Sequence, residues 1–186
     1  MQGGAGLKNS IVAIACCFFF LFILVLTGCI QKNEEKTRVE AQAGTVEGET
    51  QLWELSPEFE TPDGDYLIGE EGKVGILGPE FIAGETNKWL WHFWGDEQTI
   101  KGGDFKVIAI HKETGIKEKV LVENAGTVND KKVWNYGKLD YRPNGVRGSD
   151  SSRPSNLSLP RPGLWRLEVS IGGNYFGAIV VDVKGK

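Results

Sequence analysis

The chain has 186 residues, room for one domain with extensions. With 40% hydrophobic, 25% charged and 10% aromatic residues it holds enough apolar material for a core, which excludes disorder over its whole length. A net charge of −4 argues against a nucleic-acid partner, and three Cys with two His leave little for metal or nucleophilic chemistry. Twenty-five glycines beside a single Met suit a turn-rich β protein better than a helical bundle.

Lys8 precedes an unbroken apolar run of 16 residues, 11–26. That length suits the hydrophobic region of a signal peptide and falls short of the ~20 residues of a spanning helix. The run ends in Leu26-Thr27-Gly28-Cys29, which resembles the lipobox of bacterial lipoproteins. Small residues let an extended chain enter a peptidase, and the thiol to be acylated becomes the new N-terminus. The resemblance implies diacylglyceryl transfer to Cys29 and cleavage after Gly28, so that residues 1–28 are a lipoprotein signal peptide. The other readings are an uncleaved anchor or an ordinary secretory signal. Cys16 and Cys17 would leave with the signal, and the mature domain would then have no free thiol and no disulfide. Two acyl chains give stable membrane anchoring where one is marginal.

Residues 29–51 read as the lipidated Cys and an acidic flexible tether, with no aromatic or apolar periodicity over 30–50. A coil of that length spans roughly 25 Å on average. Charge is split along the chain. Residues 30–72 hold 12 acids and 3 bases, whereas residues 73–186 hold 13 acids and 17 bases. Within 131–166 there are 8 bases, Arg142, Arg147 and Arg153 among them, against 2 acids. This stretch is either a solvated loop balancing the acidic segment or a contact for a wall polyanion or anionic headgroups.

Residues 52–186 form the domain. Asp65–Gly69 and Lys73–Leu77 are short strand candidates. Residues 88–95, KWLWHFWG, predict an aromatic strand. Trp89, Trp91 and Phe93 share one face, which is expected in the core; Leu90, His92 and Trp94 share the other. That second face is either covered or an exposed platform, where Trp stacks on sugars or anchors a protein. Phe105–His111 and Ile116–Val122 predict a hairpin around Lys112-Glu113-Thr114-Gly115. Trp134 and Tyr136 alternate onto one face and either join the core or extend the platform. Residues 137–155 predict a long mobile loop. Residues 156–159, bounded by Pro154 and Pro160, fit an edge strand. Residues 164–171 alternate cleanly, with Trp165, Leu167, Val169 and Ile171 on one face. Gly172-Gly173-Asn174 turns the chain, and 175–183 return as its partner. The whole predicts an all-β fold, an immunoglobulin-like antiparallel sandwich of about seven to nine strands, with Trp165 near the corner position of such folds.

The segments Ser56–Phe59, Ile68–Gly75, Asn87–Gly95, Gly163–Leu167 and Phe176–Val181 carry a resemblance to Bacillus-type lipoproteins of unknown function, over roughly 52–184. The tryptophan-rich stretch is its specific part. The resemblance implies an immunoglobulin-like sandwich on a lipid anchor and supplies no activity and no catalytic residue.

Searches for chemistry find little. No GxSxG elbow, P-loop, HExxH or CxxC is present. Asp63-Gly64-Asp65 with Glu70-Glu71 offers clustered oxygens without EF-hand spacing. His92 and His111 would make half a metal site if they met across neighbouring strands. No carboxylate pair is singled out for glycoside hydrolysis. The expectation is a non-enzyme without metal or cofactor, held by its lipid on the extracytoplasmic face of a bacterial membrane. It would bind or modulate another envelope component, a protein first. The alternatives are a module for wall glycan or anionic polymer and an inhibitor of a secreted protease using loop 137–155. The candidate binding residues are His92, Trp94, Trp134, Tyr136, Arg142, Arg147 and Arg153.

Overall fold

Strict alternation puts every second side chain of LWRLEVSI on one face, so burying that face fixes the register. The computed structural model describes residues 52–186 and forms this segment as β11 (Gly163–Ile171). It pairs with β12 (Asn174–Val183) through a two-residue turn at Gly172 (φ 59°) and Gly173 (φ 84°), where only glycine is free of strain. The expected boundaries of this hairpin differ by one residue at most.

Upstream strands are β1 (Glu58–Glu60), β2 (Tyr66–Glu70), β3 (Val74–Leu77), β4 (Asn87–Phe93), β5 (Asp104–His111), β6 (Lys117–Glu118), β7 (Leu121–Glu123), β8 (Lys131–Val133), β9 (Asn135–Lys138) and β10 (Ser151–Leu157). A one-turn helix, α1 (Glu97–Ile100), follows β4, with Asp96 capping the Thr99 N–H. The strands build two antiparallel sheets packed as a β-sandwich. The larger has the order β1-β2-β3-β4-β10-β7-β8; the smaller has β12-β11-β5-β6, with β9 also on β5. Twelve strands are formed among the described residues, more than the seven to nine expected, and the surplus is in pieces of two to four residues.

The core is aromatic because β4 sends Trp89, Trp91 and Phe93 inward against the smaller sheet. Phe105 meets Trp91 and Phe93 edge-on at 5.3 and 5.1 Å, and Phe81 stacks on Trp89 at 3.8 Å. Burying each such ring contributes about 1.5–3 kcal/mol. Trp165 is fully buried at the start of β11, and its Nε1 donates back to Arg161 O at 2.9 Å, which fixes the corner.

Three expectations are corrected. The stretch 137–155 is a loop only over 139–150, because residues 137–138 end β9 and residues 151–155 begin β10, which lies inside the larger sheet between β4 and β7. Residues 156–159 are therefore not an edge strand. Pro154 is tolerated because β7 reaches only Asn156 and Leu157, so the ladder on that side ends before the missing N–H. Residues 116–122 do not form one strand either. The chain changes sheet after Glu118, so β6 pairs with β5 and β7 with β10.

The sheets are joined by backbone on both sides. Val133 pairs in the larger sheet and Asn135 in the smaller, and between them Trp134 O accepts from Val107 N at 3.0 Å. On the other side, Ser56 N donates to Val180 O at 3.0 Å and Ser56 Oγ accepts from Val180 N at 2.9 Å, just before the chain enters β1.

Candidate functional site

β4 ends at the same end of the sandwich as the start of β10, and residues 139–150 lie between β9 and β10. Serine, glycine and aspartate in this loop satisfy the backbone locally. Arg142 N donates to Asp150 O at 2.7 Å, Gly145 N to Ser149 O at 2.8 Å and Asp150 N to Phe93 O at 2.9 Å. Asp150 Oδ2 accepts from Gly95 N at 2.9 Å. Asn144 and Arg147 hold positive φ angles of 50° and 57°, rare for residues with a Cβ and maintained here by these bonds.

The loop folds onto the outer face of β4, and this decides the fate of the expected aromatic platform. His92 is fully buried, and Trp94 is partly covered, donating from Nε1 to Gly148 O at 2.9 Å while Phe59 packs edge-on against it. Both faces of β4 are thus covered at this end, one by the core and one by the loop. Ser149 Oγ donates to Val146 O at 2.7 Å and receives His92 Nδ1 at 3.0 Å, so Nδ1 carries the ring proton. His92 Nε2 is buried with no partner among the described residues. Burial, followed by the nearby Arg147 guanidinium, pushes the His92 pKa down to about 4, and the ring is neutral.

The three loop-region arginines diverge. Arg147 Nε pairs with Asp65 Oδ2 at 2.7 Å, tying the loop to the β1–β2 turn. Arg153 donates to Lys138 O, tying β10 to β9. Arg142 makes no ion pair or side-chain hydrogen bond among the described residues. It lines a cavity of about 210 Å³ with Asp140, Val146, Ser149, Ser151 and Ser152. Ser151 is 3% exposed, and its Oγ has no hydrogen-bond partner among the described residues.

Trp134 and Tyr136 lie apart from this cavity. Trp134 stands between the ammonium groups of Lys106 and Lys119, 6.0 and 5.9 Å from its ring, and Tyr136 packs against the core with its hydroxyl toward Val122 O. The two histidines do not meet. His111 belongs to the smaller sheet, with ring contacts to Thr114 Oγ1 and Pro162 O, whereas His92 belongs to the larger. Among the described residues no three His, Cys, Asp or Glu side chains gather as a metal site. Asp65 is taken by Arg147 and Glu70 lies by Lys73. Sequence reasoning missed Asp140, Ser149, Ser151 and Ser152. The one available signal was the dense serine and glycine content between Tyr141 and Asn156. Cys29, the signal peptide and the tether lie outside the described residues.

A two-sheet antiparallel sandwich with a loop-built polar cavity at one end defines the class of domain. The chain belongs to the family described as a domain of unknown function, DUF4871, whose model matches residues 46–181. Its fold is similar to the crystal structure of a candidate lipoprotein from Bacillus anthracis, with TM-score 0.57 and 22% identity over 71% of this chain and 86% of that one. No curated protein matches the chain.

Proposed function

We propose that the chain is a lipid-anchored, extracytoplasmic, non-catalytic binding domain that acts on another component of the cell envelope, with a protein as the first partner to test. The hydrophobic run ending in Cys29 and the lipoprotein description of the structural neighbour support the anchor and the location. The strand order supports an immunoglobulin-like reading. In sheet order, β3, β4, β10 and β7 stand as strands A, B, E and D, facing β12, β11 and β5 as G, F and C.

The observation that carries the binding reading is the cavity on loop 139–150. It sits on a braced scaffold, with the uncommitted Arg142 beside a half-exposed Val146. Arg next to an apolar group on a rigid surface is a composition favoured at interfaces. The inhibitor reading would rest on residues 139–150, the part of 137–155 that lies between β9 and β10. The wall-polymer reading keeps one feature of its own, Trp134 between two lysines.

The test is proximity crosslinking of the full chain on intact cells, read by mass spectrometry, with Arg142→Glu and Val146→Asp as controls. One dominant protein, lost in both variants, supports the reading. Scattered polymer-linked products that both variants leave unchanged overturn it.

A further inference from the structure

We infer that the cavity on loop 139–150 is a subsite for one uncharged, hydroxyl-rich ring, a single sugar unit of the bound component. This deepens the binding reading and rests on it. A volume of about 210 Å³ holds roughly seven waters' worth of liquid, enough for one ring and too small for a folded side of a protein. The lining supplies three serine hydroxyls, one carboxylate, one guanidinium and one aliphatic side chain.

Sugar hydroxyls both donate and accept, and this set answers them in kind. Arg142 can only donate, the Asp140 carboxylate can only accept, and the Ser151 and Ser152 hydroxyls do either, Ser149 being already bonded to Val146 O and His92 Nδ1. The two charges have opposite sign, so the cavity offers no net attraction to a simple anion or cation. The Asp150 carboxylate, which accepts from Gly95 N and lies toward Asn144 N, is not part of the lining. Ser151 supplies the independent observation. A buried hydroxyl without a partner costs stability, and a ligand hydroxyl in the cavity would remove that cost. Val146, half exposed on the cavity lining, presents an apolar surface to the C–H face of a ring.

The experiment uses the full chain in nanodiscs, followed by NMR at the amides of Gly145, Ser149, Ser151 and Ser152. The probes are glucose and N-acetylglucosamine, with glucuronate and glucosamine as charged counterparts. Saturable shifts at these amides are expected with an uncharged sugar. Ser151→Ala should weaken that binding about tenfold while leaving the melting temperature unchanged or raised. No saturable shift with any probe, or tighter binding of either charged sugar, overturns the inference. A protein partner crosslinked through Arg142 without any sugar response would defeat this inference and leave the binding reading standing. Where a sugar does bind, protease and glycosidase digestion of the crosslinked product separates a glycosylated protein from a wall glycan.

Discussion

His92 Nδ1 lies 3.0 Å from Ser149 Oγ, a side-chain hydrogen bond between residues 57 positions apart in the chain. It fastens the loop to the outer face of β4. It also commits both groups, since the same hydroxyl donates to Val146 O. The contact explains why a histidine in the middle of a tryptophan-rich strand is buried rather than displayed.

That burial makes stability depend on acid. The His92 pKa falls from 6.5 to about 4 in the fold, chiefly through desolvation. The unfolded chain therefore takes up a proton that the folded one refuses. The contribution is fully present above about pH 6.5 and is lost as pH falls toward 4. Urea unfolding of wild type against His92→Asn should show a difference that shrinks by on the order of 2 kcal/mol between pH 7 and pH 5. A pH-independent difference would mean that the ring stays solvated.

A second prediction concerns the Trp91 indole, whose Nε1 donates to Ser155 Oγ at 2.9 Å inside the core. Ser155→Ala leaves that N–H buried without a partner and should cost about 1–3 kcal/mol. Adding Trp91→Phe removes the stranded donor, so the double variant should lose less than the two single losses combined. Chemical denaturation of the four proteins reads this coupling. Strict additivity would refute the bond.

Val181 is 2% exposed on the inner face of β12, opposite Trp165. Val181→Asp buries an unpaired carboxylate in an aromatic core and should abolish cooperative melting. A variant that melts as wild type does would place Val181 on the wrong face.

The anchor makes its own prediction. Cys29→Ser should leave the chain with its signal uncleaved or release it into the medium. Fractionation with immunoblotting checks this, and normal processing with membrane retention would refute lipidation at Cys29.

How much of this was legible depended on which residues fill the core. β11 and β12 announce themselves because branched and aromatic side chains alternate along them. β10 is nearly silent. Its sequence, SSRPSNL, has one apolar residue besides proline, because Trp89 and Trp91 on β4 already occupy the space and their neighbours must be small. Ser155 is buried, yet reads as loop in any hydrophobicity pattern. The break between β6 and β7 is hidden for another reason. Ile116–Val122 is continuous in composition, and only the three-dimensional course of the sheets sends its two parts to different partners. The cavity shares the problem of β10, since serines and glycines become a site only once the loop is bonded in place. The aromatic strand gave the right inner face, but nothing in its own residues shows that loop 139–150 would cover the outer one.

The crossing of the chain at Trp134, matched across the sandwich by Ser56 on Val180, sets how the domain comes apart. With backbone bonds spanning the layers along both flanks, neither sheet can peel away while the other stays intact. The amide hydrogens of Val107 and Val180 should therefore exchange with deuterium as slowly as those of the central ladders, by way of the globally unfolded state alone.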